Sequence, residues 1–390
     1  MFSWPLVWYL HECKGNETEG RCQTNVRDNF GFLFAGGAYD ESMSAQKFKV
    51  ALTADFLDER GAVKYRDVGV SLLEAQPHLQ WRGFREHRPV VGADQIAHAN
   101  AVFVMSPRII AESIAGAENL LLIARFGVGY DQVDVAACTA AGVLVTITKG
   151  AVDYSVAEAT IGWMIALGHQ TRAKDRLVRE GQWNERSKYM GRELRDRTLG
   201  VIGLGGIARK TIELLRSFGM NTPLAYDPLV TASTEARLVT LEELLRHSDF
   251  VSIHCPLTEK TRGLIGAKEL ALMKPEAFLI NTARGGIVDE TVLFEALQSR
   301  RIAGAAIDCF VEEPLRGPPR LAELDNVMLA PHSIAWTDEQ FRSMGRMGCQ
   351  AIVDLSLGKR PHWAVNPEVY ESPDFQAKWR RVMSEDLRGI

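Results

Sequence analysis

The strongest constraint on this chain is an alternation. From Phe48 onward, short apolar runs of strand type recur between stretches of helical spacing: Phe48–Thr53, Ala101–Met105, Leu121–Ala124, Val143–Thr146, Leu199–Ile202, Asn221–Tyr226, Phe250–His254, Ala277–Asn281, Ala303–Ile307 and Val327–Ala330. Runs that are apolar throughout and separated by helices pair in parallel and need cover on both faces. The expected class is therefore α/β, with parallel sheets wound by helices on both faces. A long helical stretch, Ser155 to Gly181, separates the first group of runs from the second and marks a domain boundary. Ala157, Ile161, Met164, Ile165 and Gly168 fall on one stripe of it. Residues 1 to about 46 show neither period and are rich in turn formers. They read as an irregular N-terminal extension, with Met43 as an alternative start.

Length and composition bound the rest. The 390 residues suit roughly two or three domains. With 46% hydrophobic and 24% charged residues, the chain can build a sizeable core. A formal charge of -4 gives no reason to expect nucleic acid as a partner. No run approaches the roughly 18 apolar residues that read as a membrane span. Trp4–Leu10 is short and has no basic residue before it, so it does not read as a signal segment. The six cysteines include no C-x-x-C pair, which suits buried thiols in a reducing cytoplasm. The histidines show no metal-ligand spacing, so no metal site is expected from the linear sequence.

The stretch "TLGVIGLGGIARKTIELL" combines a strand, Gly203-x-Gly205-x-x-Ala208 and a helix. Gly203 permits a tight turn, Gly205 lets the backbone approach a pyrophosphate, and Ala208 lets helix and strand pack closely. The helix N-terminus offers free N–H groups to the phosphates. The next strand ends at Asp227, where a carboxylate accepts hydrogen bonds from ribose hydroxyls and repels a 2′-phosphate. NAD is thus expected over NADP, although Asp227 before Pro228 also suits a plain turn.

Three later runs end beside chemically active residues. "LINTARGGIVDE" places Arg284 at a strand end before two glycines, "AAIDCFVEEP" follows a strand with Glu313, and "APHSIAW" follows one with His332. In a parallel sheet these ends share the edge that carries the glycine loop. Arg284 can grip a carboxylate through two parallel N–H bonds. His332 can give or take a proton near neutral pH. Glu313 can fix the tautomer and favour the protonated ring. With NADH alongside, the set suits reduction of a 2-oxo acid.

These stretches, with "FGVGYDQVDVAACTAAGV", "VAEATIGWMIAL", "GRELRDRTLGVIGLGGIA" and "HCPLTEKTRGLIG", resemble the D-isomer-specific 2-hydroxyacid dehydrogenase family, which includes D-3-phosphoglycerate dehydrogenase and glycerate dehydrogenase/hydroxypyruvate reductase. The resemblance runs from about Phe48 to about Val369. It implies two Rossmann-like domains with the site in the cleft between them. The substrate domain would comprise 47–150 and 336–390, and the NAD domain 151–335. It implies that Val128 and Gly129 bind the substrate carboxylate through their backbone. It also implies that Gly206, Ile207, Pro256, Thr261, Thr282, Ala283, Arg284, Asp308 and His332 lie at the cofactor. Domain closure and a homodimer are further implications.

The chain also departs from the family's usual pattern. Ala208 replaces the third glycine. Gly206 stands where relatives often carry a polar or basic side chain, and Lys149 where a proline is common. Lys149 is read as solvated, with reach into the cleft as the alternative. "HSIAW" resembles the His-x-x-x-Trp variants, and no regulatory domain follows Val369. Both features point to a small acid of hydroxypyruvate or glyoxylate type. The alternatives are D-3-phosphoglycerate oxidation, phosphite oxidation, and a dinucleotide-sensing protein resembling corepressors. His254 reads as loop-shaping, Arg125 as structural, and Trp163 and Trp183 as packing or dimer contacts.

Overall fold

The structure, a computed structural model, describes residues 47–386; the N-terminal extension and the start at Met43 lie outside the described residues. The chain forms two parallel sheets. The first has five strands: β1 (Phe48–Leu52), β2 (Leu79–Gly83), β3 (Ala101–Val104), β4 (Leu122–Arg125) and β5 (Leu144–Thr146), in the order β2-β1-β3-β4-β5. The second has seven: β6 (Leu199–Ile202), β7 (Leu224–Tyr226), β8 (Arg237–Leu238), β9 (Phe250–Ile253), β10 (Phe278–Asn281), β11 (Gly304–Ile307) and β12 (Val327–Leu329). Its order is β12-β11-β10-β9-β6-β7-β8, so the winding reverses between β6 and β9. Ligands of doubly wound sheets bind at such a reversal, beyond the carboxyl ends of the strands.

Burial explains why most strands read clearly. β3, β5, β6, β9 and β11 are buried at every residue, which requires the unbroken apolar runs seen in the sequence. The exception is β2, "LQWRG", an edge strand in which only Leu79 is fully buried. β8 has two residues and no sequence signal of its own.

The expected single helix from Ser155 to Gly181 is instead two helices, Asp153–Gly168 and Thr171–Arg179. The first ends because the Gly168 carbonyl accepts from the Arg192 amide at 2.7 Å. A Cβ on Gly168 would lie 2.9 Å from the Arg192 carbonyl oxygen. The chain then turns through Gln170 at φ 53°. Trp163 is buried in the core of the second sheet, whereas Trp183 is 63% exposed.

After β12 the chain returns to the first sheet. Thr337 caps the helix Asp338–Ser356, its hydroxyl accepting from the Gln340 amide at 3.1 Å. That helix packs on β3, β4 and the helix Val70–Glu74. Close approach is possible because Gly69 and Gly345 meet backbone to backbone; a Cβ on Gly345 would lie 2.2 Å from the Val68 carbonyl carbon. Among the described residues, no helix is long and apolar enough to cross a membrane.

Candidate active site

Three glycines at the end of β6 serve three separate purposes. Gly203 has φ 89°, and a Cβ there would meet the Cys255 amide nitrogen at 2.8 Å, so the turn presses against the chain leaving β9. Gly205 has nothing within 4 Å of the position its Cβ would take, so its face is open. A Cβ on Gly206 would lie 2.0 Å from Asp153 Oδ2, so an acidic side chain fills the space beside the helix start. The helix Gly206–Leu214 begins here, with Ile207 half-buried and Ala208 fully buried.

Asp227 at the end of β7 is already engaged. Its Oδ2 accepts from the Leu204 amide and its Oδ1 from the Leu229 amide, both at 2.9 Å. It therefore closes a turn and pins the glycine loop. Pro256 and Thr261 share one loop after β9, where the Thr261 hydroxyl donates to the Pro256 carbonyl at 2.7 Å. Thr282 follows β10, and its hydroxyl oxygen is buried without a hydrogen-bond partner. An open glycine face, free helix amides and an orphaned hydroxyl fit a dinucleotide phosphate and its adjoining groups.

The adjacent strands β10, β11 and β12 deliver the polar set. Arg284 lies just beyond β10. Its Nη1 donates to the Ala283 carbonyl at 2.7 Å, and its Nε to Asp131 Oδ1 at 2.9 Å. Asp131 belongs to the loop after β4, so this bond joins the edges of the two sheets. The guanidinium rests on Gly129, where a Cβ would fall 1.4 Å from Arg284 Nη2. Val128 and Gly129 are both half-buried in that loop.

Asp308, the residue after β11, anchors the segment that carries His332. It is 4% exposed, its carbonyl accepts from the His332 amide at 2.8 Å, and its Oδ1 accepts from the Ser333 and Ile334 amides at 2.9 and 3.2 Å. His332 sits at φ 53°, in the left-handed region. Its Nδ1 lies 2.7 Å from Glu313 Oε2, while Glu313 Oε1 accepts from the Phe310 amide at 2.8 Å. Because an ionised carboxylate only accepts, Nδ1 carries the hydrogen and Nε2 is left to exchange protons.

Burial pushes the Glu313 carboxyl upward. The hydrogen bond and charge of His332, the Phe310 amide and Arg284 outweigh it and hold the group below its usual range. Burial raises Asp131 as well, but Arg284 outweighs it and the net direction is down. Asp308 is raised, chiefly by burial, against the opposing amides of Ile334 and Ser333. Burial lowers His254 to about 4; its Nε2 lies 2.9 Å from the Ser252 hydroxyl, and its Nδ1 is buried without a partner.

Arg284, Glu313 and His332 come together as the strand ends required. Three neighbours carry no such signal in the sequence. Asp131 lies within "GVGYDQVD", but its partner is far along the chain. Arg125 is half-buried beside Arg284 with its Nε out of solvent, and desolvation followed by that like charge lowers it to about 10. Asp153 meets Gly206 only because two helices pack together. Lys149 is exposed, as the solvated reading expects, with its ammonium 5.0 Å from the centre of the Trp363 ring.

A doubly wound sheet with a dinucleotide turn, facing a second sheet across an arginine and a carboxylate-backed histidine, defines a nucleotide-binding α/β protein of two parallel sheets. Residues 161–333 match the family described as D-isomer specific 2-hydroxyacid dehydrogenase, NAD binding domain. The chain is 37% identical over 319 residues to the glyoxylate reductase of Korarchaeum cryptofilum, covering 79% of this chain and 96% of that one. It is 38% identical over 287 residues to the D-3-phosphoglycerate dehydrogenase of Archaeoglobus fulgidus, covering 72% of this chain and 54% of the relative. The chain thus spans about half the length of the phosphoglycerate dehydrogenases it matches. The solved D-lactate dehydrogenase of Aquifex aeolicus, in complex with NAD and lactic acid, superposes with a TM-score of 0.70 at 27% identity, covering 79% of this chain and 96% of that one. The chain belongs to the D-isomer specific 2-hydroxyacid dehydrogenase family, and 161–333 is its NAD-binding segment.

Proposed function

We propose that the protein interconverts a small 2-oxo acid and its D-2-hydroxy acid with NAD(H). The observation that carries this reading is the 2.7 Å contact between Glu313 and His332 Nδ1 at the strand ends beside Arg284 and the glycine loop. Arg284 and the amides of Val128 and Gly129 would hold the substrate carboxylate. His332 Nε2 would donate a proton to the carbonyl oxygen in reduction and take it back in oxidation. Glu313 would stabilise the imidazolium and fix its orientation. Gly203, Gly205, Gly206 and Ile207 would line the pyrophosphate, with Asp227 at the ribose. Pro256, Thr261, Thr282, Ala283 and Asp308 would border the rest. When bound, the dinucleotide supplies or removes hydride at C2. On this reading, 47–150 with 336–390 is the substrate lobe and 151–335 the nucleotide lobe.

A glyoxylate- or hydroxypyruvate-type acid is favoured, supported by the near-complete coverage of a glyoxylate reductase. A phosphorylated acid is the second reading, favoured by the half-buried Arg125 next to Arg284. NADH oxidation by purified protein should be followed with glyoxylate, hydroxypyruvate, pyruvate, phenylpyruvate and 2-oxoglutarate, and NAD reduction with D-3-phosphoglycerate and phosphite. We expect turnover of one small 2-oxo acid and a loss of roughly 100-fold or more in kcat/KM for Arg284→Ala. NADH binding without turnover of any compound would overturn the enzymatic reading in favour of a sensor. A cytoplasmic homodimer is the expected form; sedimentation of the purified protein as a monomer would refute the dimer.

A further inference from the structure

We propose that Cys309, Glu313 and His332 form a binding site for a thiophilic divalent cation, Zn²⁺ or its analogue Co²⁺. One ligand atom from each residue lies within 4.8 Å of the others. No linear spacing announces the site, because the exit of β11 supplies the cysteine, the loop after it the glutamate, and the segment after β12 the histidine.

The donor set is a thiol, a carboxylate and an imidazole. Zn²⁺ takes these ligands at about 2.0–2.3 Å in tetrahedral geometry. Such bonds put ligand atoms somewhat under about 4 Å apart, so the group must contract by roughly 1 Å. Surrounding charge favours a cation: Asp308, Glu313 and Asp131 act on the Cys309 thiol against Arg284 alone. Cys309 is 1% exposed, and its sulfur makes one weak contact, 3.4 Å from the Ala283 carbonyl. Glu313 and His332 are exposed toward the cleft, which gives an entry path and leaves the fourth position to water.

Burial pushes the thiol well up, so free Cys309 is protonated. On binding, the S–H bond breaks, an S–metal bond forms, and the proton leaves to solvent. The metal takes His332 Nδ1 and the Glu313 oxygen that otherwise hold each other, so the Nδ1–H bond also breaks; that proton leaves to solvent and Nε2 takes one up, keeping the ring neutral. The bound cation therefore removes the proton-transfer pair from service. Only this last consequence rests on the proposed function; the site itself does not.

The test uses tag-free full-length protein, titrated with Co²⁺ and with Zn²⁺ against a chromophoric chelator, beside Cys309→Ser and Cys309→Val. Both variants are first checked for an unfolding transition like that of the unmodified chain; Ser keeps the size and Val the apolarity of the buried thiol. We expect a near-ultraviolet sulfur-to-cobalt band in the unmodified chain that both variants lack. We also expect Zn²⁺ to bind the variants more weakly by at least the roughly 10–100-fold that loss of a mere outer-shell partner costs. Zn²⁺ should inhibit turnover reversibly, with the variants retaining activity in its presence. Absence of the band, or equal Zn²⁺ affinity in folded variants, overturns the site. A band with no turnover of any acid keeps the site and removes the functional reading. Turnover without the band does the reverse.

Discussion

Gly129 is bare because the Arg284 guanidinium stands where its Cβ would be, with Nη2 only 1.4 Å from that position. Nε of the same arginine holds Asp131, so the group cannot retreat without breaking an ion pair of 2.9 Å. Gly129→Ala should therefore push the guanidinium off its seat. Displacements of about 1 Å at a reacting site can cost on the order of 100-fold. We expect kcat/KM to fall by about that factor while the melting temperature moves little, because the loop is half-buried and near the cleft. Steady-state kinetics and thermal unfolding on one preparation check this; unchanged kcat/KM would show that Arg284 does not need Gly129. Arg284, Glu313 and His332 were legible in the sequence because each follows an apolar run that can only be a strand. Asp131, Arg125 and Cys309 were not. Their importance comes from partners delivered by other strands, and no local spacing encodes that.

At the level of elements, the glycine-loop helix and the helix Asp153–Gly168 are matched to each other. The carboxylate of Asp153 fills the place a Gly206 side chain would take. The Lys210 and Lys149 charges pull its pKa down, but burial outweighs them and raises it. A side chain at 206 must push this carboxylate toward the amides that would bind phosphate. Gly206→Ala should weaken NADH binding several-fold, and less in an Asp153→Ala background. Contacting residues couple by about 0.5–3 kcal/mol, so a double-mutant cycle on NADH affinity reads the effect directly. Additive changes would show that the two positions are independent. Elements buried on both faces were legible for the same reason that they pair in parallel. β2 is not legible because an edge strand alternates buried and open residues and resembles a loop. Nor is the break at Gln170, because Gly168 ends its helix through a bond to Arg192, a tertiary event with no local breaker.

At the scale of the whole molecule, the Arg284–Asp131 pair and the aromatic contacts of Trp336 link the two sheets. That ring, four residues beyond His332, lies 5.0 Å from Phe341 and 6.2 Å from Tyr65. One half-buried group with a buried ring nitrogen makes stability depend on pH. His254 follows β9 and backs the turn at Gly203, and burial lowers it from 6.5 to about 4. The unfolded chain takes up a proton near pH 6.5, while the folded chain resists until about pH 4. The unfolded state thus binds more protons between these values, and stability falls as pH falls through that window. The loss is complete below about pH 4 and absent above 6.5. A shift of this size corresponds to as much as roughly 3 kcal/mol. Glu313 and Asp131, both held below the usual carboxylate range, add loss in the same direction at lower pH. His254→Gln is neutral at every pH and keeps a polar group near the Ser252 hydroxyl. Urea midpoints of the cofactor-free protein at pH 7.5, 6.0 and 5.0 should fall steeply for the unmodified chain and visibly less for the variant. Parallel curves would mean that His254 accepts its proton in the folded state, and that the turn at Gly203 tolerates a charge behind it.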